Sequence, residues 1–507
     1  MLLRRELIDE REYQRRIFES AKNSNTLVVL PTGLGKTVIA ALVMDERLTR
    51  FPGSKALFLA PTKPLVNQHL RTFSKFMDST SFASSGSVKK DERRAGYEVS
   101  RLVFATPQTI SNDMDKGVID FSDFSILVVD EAHHAIGNYS YVRIAQRYLA
   151  DAKYPLVLGL TASPSSDRSK INAICKNLGI SNVEIRSEDD PDVSPYIKKK
   201  AIIDVKVKLP PEISSLALRM NSIISSQKLE LAKYGFFKNS MNSINRTKIL
   251  LLQKSLQGQM FANRNNFYAI RGIILTSKML KLYHAYDLLT TQSFGGFVNF
   301  MRKLLDGTTK SDKELSKIEE LSLIYEKACK LLEQGVEHPK VEKTASLLLE
   351  SLKNSEKAIV FTQYRETVDT LYKYLKKFPA LRPVKFIGQG RGGLLQKEQI
   401  SIVKDFEAGV YNVLVSTSVS EEGISIKGVD LAIFYDSVPS AIRSIQRRGR
   451  VGRFNVGKIF LLITEGTSDE AYYWVSKKRE SKMKRIIKDI KDNPDKVYQD
   501  GTLNPFV

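Results

Sequence analysis

Two strings in this chain carry residue types that handle phosphate. Leu30-Pro31-Thr32-Gly33-Leu34-Gly35-Lys36-Thr37 lies near the start, and Gln446-Arg447-Arg448-Gly449-Arg450-Val451-Gly452-Arg453 lies about 400 residues later. Glycines let backbone N–H groups approach phosphate oxygens, and a helix opening at such a loop adds positive potential. Lys36 would bridge the terminal phosphates of a nucleoside triphosphate, and the Thr37 hydroxyl would bind Mg2+. Pro31, Thr32, Gly33, Leu34 and Gly35 would form the cradle. Arg450 and Arg453 are always charged and fork onto phosphate oxygens. An arginine inserted at a transferring phosphoryl group is worth about 10³–10⁵ in rate. A site divided between two distant segments can open and close as it hydrolyses.

A third string completes the chemistry. Asp130-Glu131-Ala132-His133 follows the apolar run Ile126-Leu127-Val128-Val129. An aspartate at a strand end can hold Mg2+, and the next acid can orient and polarise an attacking water. The expected catalytic set is therefore Lys36, Asp130, Glu131, Gln446, Arg450 and Arg453, with Thr37 and Asp130 on the metal. Neighbouring His133 and His134 on a loop rarely ligate one ion. Hydrogen bonds from them to Thr161-Ala162-Ser163 are expected instead.

These residues need rigid elements beneath them. Apolar runs at 26–30, 56–60, 102–105, 126–129 and 156–160 read as buried parallel strands, each ending in a polar or Pro/Gly turn. Open α/β sheets place their ligands beyond such carboxyl ends. The same grammar returns at 357–361, 384–387, 412–415, 431–434 and 458–462. Between Pro211 and Pro339 there is no proline, and 268–289 has helical spacing. The expected fold class is α/β, with two RecA-like parallel-sheet domains and an all-helical insertion between them. The boundaries fall at 1–205, 206–338 and 339–507.

The net charge of +22 favours a polyanionic partner. Residues 212–310 hold fourteen Lys and Arg against four Asp and Glu, a large share of the excess. Lys248, Lys254 and Arg264 in this insertion are candidate nucleic-acid contacts. Aromatics mix with the charge at Phe236-Phe237-Lys238 and at Arg264-Asn265-Asn266-Phe267-Tyr268, as suits phosphate contact with base stacking; for the individual rings, helix core is the simpler reading. A basic run from Lys477 to Lys496 reads as either a solvated terminal helix or a further contact. No apolar run reaches the roughly 18 residues that span a bilayer, so no membrane partner is expected. Cys175 and Cys329 read as free thiols in a reducing compartment, and a cytoplasmic location is expected.

Taken in order, the motifs resemble those of superfamily 2 helicases. Thr32-Gly33 is the loop variant of such motors, with Leu30 where the usual first glycine would stand. Arg11-Glu12-Tyr13-Gln14 resembles the adenine-reading motif, which implies that Gln14 bonds the base edge and Arg11 stacks on it. Pro61-Thr62-Lys63-Pro64-Leu65-Val66 and Thr106-Pro107-Gln108 look like first-lobe strand-holding motifs. Thr161-Ala162-Ser163 looks like the coupling motif. Phe361-Thr362-Gln363 and Ser416-Thr417-Ser418-Val419-Ser420-Glu421-Glu422-Gly423 look like those of a second lobe. Ala135-Ile136-Gly137-Asn138-Tyr139, the stretch Val438 to Gln446, and Asp469-Glu470-Ala471-Tyr472-Tyr473-Trp474 are similar to archaeal Hef, in the DEAH-box group that includes the Fanconi anaemia M proteins.

The resemblance implies an ATP- and Mg2+-dependent DNA helicase or translocase, moving 3′ to 5′ on stalled replication forks and branched DNA. Strand contacts are implied near Thr62, Lys63, Thr106, Thr362 and Thr417, and His133 joins the nucleotide site. Forked, branched and single-stranded DNA are the implied partners, with a sliding clamp among the candidate repair proteins, and a nucleoid-associated location follows in an archaeon. Ser425 stands where many relatives carry an aspartate. The glycine-rich 388–393 segment is not a phosphate loop. The chain ends at Val507 with no Glu-Arg-Lys nuclease signature, so it reads as either a helicase fragment or a naturally nuclease-free form. Two rival readings are an RNA-activated ATPase of the RIG-I and Dicer group, and a binding module with a decayed motor.

Overall fold

The computed structural model describes residues 2–162, 164–165, 167–196, 201–237, 244–352, 356–388, 393–417, 429–437 and 458–492. The first part runs α1 (Glu12–Ala21), β1 (Thr26–Val29), α2 (Lys36–Arg50), β2 (Lys55–Leu59), α3 (Lys63–Phe76), β3 (Ser81–Ser84), α4 (Lys90–Val99), β4 (Leu102–Ala105), α5 (Pro107–Asp115), β5 (Phe124–Asp130), α6 (Ser140–Asp151), β6 (Val157–Thr161), α7 (Arg168–Leu178) and β7 (Asn182–Ile185). Its seven strands lie in the order β3-β4-β2-β5-β6-β1-β7, and every pairing is parallel. Alternate residues feed opposite faces, as a pleated strand requires. On β1, Val28 enters the core on one face while Leu27 and Val29 enter the core on the other. A sheet covered on both faces explains why these strands read as unbroken apolar runs.

β8 (Ala201–Val207) precedes the helices α8 (Pro211–Lys233), α9 (Arg246–Ala262), α10 (Phe267–Thr291), α11 (Phe294–Leu305), α12 (Lys310–Leu315) and α13 (Glu319–Glu333). Beyond its exposed first turn α10 is buried or half-buried along its length, packed between α8, α9, α11 and α12. Gly272 sets the spacing of this bundle: a Cβ there would stand 2.6 Å from Leu256 and 2.7 Å from Phe236.

The last part comprises α14 (Pro339–Ser351), β9 (Ala358–Thr362), α15 (Arg365–Leu375), β10 (Pro383–Phe386), α16 (Gln396–Glu407), β11 (Val413–Thr417), β12 (Leu431–Phe434), β13 (Lys458–Thr464) and α17 (Ser468–Asp492). Its six-stranded sheet is also all parallel, ordered β10-β11-β9-β12-β13-β8. The fold is thus two parallel sheets with a helical bundle between them.

β8 differs from the sequence expectation. It straddles the 205/206 boundary drawn between the first lobe and the insertion, and it pairs residue for residue with β13 of the second sheet. As an edge strand it leaves most of its side chains in solvent, so it lacks the apolar run that marked the others. The short polar strands β3 and β7 escaped the same test.

α17 also does more than extend into solvent. It leaves β13 of the second sheet and runs about 37 Å, with Ile486, Ile487 and Ile490 seated in the core of the first lobe. Arg168 pairs with Asp489, and Lys491 reaches Asp190 at 2.6 Å. The lysines at 477, 478, 482, 484 and 488 stay exposed.

Where the bundle meets the second lobe, the packing is polar. Lys340, fully buried at the start of α14, donates to the carbonyls of Thr291 (3.2 Å) and Tyr435 (2.8 Å) and pairs with buried Asp469. Gln292, just past α10, accepts from Thr367 at 3.1 Å through its side chain and from the Tyr435 hydroxyl at 3.1 Å through its carbonyl.

Candidate nucleotide and nucleic-acid site

Three adjacent strand ends build the first half of the site. β5, β6 and β1 are neighbours, and they deliver Asp130, Thr161 and the loop after Val29 to one edge of the sheet. Leu30 N–H donates to Thr161 O at 3.0 Å, which ties the loop to β6. Gly33 and Gly35 have φ of +88° and +78°, left-handed values that suit glycine. Gly35 is fixed twice, because a Cβ there would also stand 2.3 Å from Gln14 Nε2. α2 begins at Lys36 with no side chain capping it, so Pro31, Thr32 and Gly33 lead into an N-terminus suited to an anion. Lys36 Nζ donates to Leu30 O at 2.9 Å, and Thr37 lies half-buried in the first turn.

α1 holds this loop from outside. Leu34 O accepts from both the Tyr13 hydroxyl (2.7 Å) and Gln14 Nε2 (3.1 Å). Gln14 Oε1 accepts from the Arg11 backbone N–H at 3.0 Å, so this side chain is engaged at both ends. The Arg11 guanidinium lies 4.8 Å from the Tyr196 ring centroid, and Tyr196 meets Tyr13 edge-on at 5.7 Å. Tyr13 and Tyr196 were not expected from the sequence. Tyr13 lies inside the expected motif and was legible in principle; Tyr196 is about 180 residues away and gave no signal.

The acidic end is strained and tightly held. Glu131 has φ +50° and ψ +48°, a conformation that costs a side-chain-bearing residue about 1–3 kcal/mol and clusters at functional sites. Asp130 is buried. Its Oδ1 accepts from Glu131 N–H at 3.0 Å, and its Oδ2 lies 3.0 Å from His69 Nε2. His69, on α3, is a partner the sequence did not suggest. His133 Nδ1 lies 3.2 Å from Thr161 Oγ1 and 3.3 Å from Glu131 Oε2, so it links the acid to β6. Burial, aided by neighbouring His133, pulls the His134 pKa down to about 4, so His134 is neutral at pH 7. The glycine cradle, the uncapped helix and the Thr37–Asp130 oxygen donors fit a triphosphate with Mg2+.

The other candidate contacts sit at separate strand ends. Thr62 and Thr106 cap the N-termini of α3 and α5, after the adjacent strands β2 and β4. Among the described residues Thr62 Oγ1 is buried without a hydrogen-bond partner, Thr106 Oγ1 lies 2.8 Å from Thr109 Oγ1, and Lys63 Nζ donates to Ser87 at 2.7 Å. In the second lobe, Thr362 and Thr417 end the adjacent strands β9 and β11. The Thr362 hydroxyl is not presented outward: it is buried and donates to Asp436 at 3.1 Å. Lys248, Lys254 and Arg264 are exposed on α9 and the turn after it. Gln446, Arg450, Arg453, Ser163 and Ser425 lie outside the described residues.

Comparison with known proteins agrees with this layout. Residues 6–166 match the family model described as "Type III restriction enzyme, res subunit". Residues 209–337 match "Putative ATP-dependent RNA helicase, helical bundle", and 339–455 match "Helicase conserved C-terminal domain". A solved structure, the Pyrococcus furiosus Hef helicase domain, is 40% identical, covers 94% of this chain and 100% of its own, and superposes with a TM-score of 0.72. A Methanocaldococcus jannaschii protein, also named as an ATP-dependent RNA helicase, is 38% identical over 96% of this chain. The mouse Fanconi anemia group M protein homolog is 31% identical over 95% of it. The chain spans 62% and 26% of the length of these two relatives.

Proposed function

We propose, for a chain that belongs to the Hef and Fanconi anaemia M type of superfamily 2 helicases, that it is an ATP-driven translocase acting on forked and branched DNA. The observation that carries the reading is the cluster at the β5, β6 and β1 strand ends: a two-glycine cradle beside Asp130 and a strained Glu131.

In this reading the N–H groups of the 33–37 loop bind the phosphates of ATP. Lys36 exchanges the Leu30 carbonyl for phosphate oxygens. Thr37 and Asp130 would hold Mg2+, which would supply charge neutralisation at those oxygens. Glu131 polarises the attacking water, and Gln14 and Arg11 receive the base. Arg450 and Arg453, with Gln446, reach the same triphosphate from the second lobe; sequence spacing alone supports their part. His133, between Glu131 and Thr161, passes the state of the site to the β6 strand end.

Closure of the lobes would set Thr62, Lys63 and Thr106 against one stretch of DNA backbone and the segments at Thr362 and Thr417 against another. The buried Thr362 hydroxyl leaves the contact there to neighbouring backbone groups. Phosphate contacts carry no sequence information, so recognition is by shape and weakens steeply with salt. Lys248, Lys254 and Arg264 of the bundle grip the branch. Movement 3′ to 5′, a location with the nucleoid, single-stranded DNA as a further ligand and a sliding clamp as a repair partner belong to the same reading.

Lys36→Ala or Glu131→Gln is expected to abolish DNA-stimulated phosphate release while fork binding persists. Normal hydrolysis by either variant counts against the site. The RNA names carried by one family model and by the jannaschii relative favour a second reading, an RNA-dependent ATPase. Stimulation by duplex RNA but not by forked DNA would select it.

A further inference from the structure

The bundle carries two phenylalanines in solvent where a folded protein has reason to hide them. Phe261 ends α9 and Phe267 begins α10, on either side of the 263–266 turn, and each is 82% exposed. Among the described residues neither ring stacks on another aromatic. Phe236 is buried against Tyr268 at 4.8 Å, so the rings of the two mixed aromatic strings have different fates. Among the described residues α9 has nothing packed along its outer side, and only Ile249 and Leu256 of its seventeen residues are buried. Leu250, Lys254 and Phe261 fall at spacings of four and seven and share one exposed face.

The charge around these rings identifies the occupant. Between Glu230 and Asp287 the chain has nine Lys and Arg and no acidic residue; of these Arg246, Arg271, Lys278 and Lys281 are paired with Asp287, Glu230, Glu314 and Asp312. Among the described residues Lys254 and Arg264 form no ion pair and no side-chain hydrogen bond, so their charge is available to a ligand. A basic surface interleaved with free aromatic rings matches a nucleic-acid strand, phosphate to cation and base to ring. A duplex hides the faces of its bases in the stack. A branch point exposes them, and a narrow helical hairpin can enter there.

We propose that the α9–α10 hairpin is a branch-reading wedge, in which Phe261 and Phe267 stack on unpaired bases of DNA while Lys254 and Arg264 hold the flanking phosphates. This rests on the DNA-motor reading above and adds to it the chemical feature of the branch that is read.

The test uses the full chain and a forked DNA with 2-aminopurine at the first unpaired position, against a duplex of equal length. The Phe261→Ala/Phe267→Ala double variant removes two exposed rings, so its melting temperature should match wild type. It is expected to lose fork affinity roughly ten- to a hundredfold and to lose the change in 2-aminopurine emission. Duplex affinity and the salt dependence of binding should stay as in wild type, because phosphate contacts are intact. The Phe261→Tyr/Phe267→Tyr variant should restore both fork signals. Wild-type fork affinity and emission in the alanine variant, or equal loss on fork and duplex, overturns the wedge alone. A wild-type chain that neither binds forks nor hydrolyses ATP in response to DNA overturns the functional reading, and the wedge with it.

Discussion

His69 Nε2 lies 3.0 Å from Asp130 Oδ2, while the other oxygen of that carboxylate accepts from the Glu131 N–H. The imidazole is itself fixed, with its ring 4.3 Å from that of Phe58 beneath it. Groups that orient a metal ligand typically contribute ten- to a hundredfold to metal affinity or activity. His69→Ala is expected to raise the Mg2+ concentration for half-maximal ATPase by about tenfold. Binding of a fluorescent ATP analogue in EDTA should stay unchanged, and His69→Gln should recover part of the loss. Equal Mg2+ dependence of wild type and His69→Ala would remove His69 from this role.

Tyr196 sets a second expectation. Its ring lies against the Arg11 guanidinium, and the chain continues from it toward β8 of the other lobe. A cation–π contact of this kind contributes roughly 0.5–2 kcal/mol. Tyr196→Ala should therefore raise KM for ATP about three- to tenfold and narrow the preference for ATP over UTP, with kcat nearly unchanged. Tyr196→Phe should behave as wild type. Steady-state kinetics with the two nucleotides decide it, and an unchanged ATP/UTP ratio in Tyr196→Ala would show that the ring does not serve the base.

The contrast between Lys36 and His69 shows what a single sequence exposes. Lys36, Asp130 and Glu131 sit in contiguous strings whose neighbours, a buried apolar strand before and a helix after, are themselves legible. The two sheets follow from the same apolar runs, and the bundle from a proline-free stretch with helical spacing. His69 and Tyr196 act through contacts made only when remote strands pair, and nothing local marks them. β8 escaped because an edge strand buries too little to show an apolar run. Phe236 and Phe267 look alike in sequence, and only the packing around Gly272 separates the core ring from the exposed one.

The Lys340–Asp469 pair makes a stability prediction. Both side chains are buried, and burial pushes the Asp469 carboxyl up despite the lysine beside it. Removing one partner of a buried pair typically costs about 3–5 kcal/mol, because the other charge is left uncompensated. Lys340→Met should lose stability on that scale in urea unfolding. Lys340→Met/Asp469→Asn should recover much of it, since Asn is neutral and keeps one of the two oxygens that accept from the Ser437 and Thr464 N–H groups. If the double variant is less stable than the single by the full cost of a second independent loss, the two side chains are not coupled.

His338, at the N-cap of α14, gives a pH dependence with a definite sign. Its Nδ1 accepts from the Lys340 backbone N–H at 3.3 Å, so the proton sits on Nε2, which faces Thr290 O at 3.1 Å. A second proton would have to enter at Nδ1, against an N–H donor and beside a buried lysine. Burial first, and the Lys340 charge second, pull its pKa down to about 3 from 6.5. The unfolded chain therefore binds a proton that the fold refuses between those values. Stability from this group is complete above pH 6.5 and is lost as pH falls toward 3, reaching a deficit of roughly 2–3 kcal/mol by pH 4.5. His338→Asn offers an amide oxygen in place of the Nδ1 acceptor and cannot titrate. Subtracting its urea-unfolding free energies from those of wild type at pH 7.5 and pH 4.5 isolates the term, because His134 and the buried carboxyls are common to both chains. A difference that stays constant across that range would mean that His338 is protonated in the folded protein.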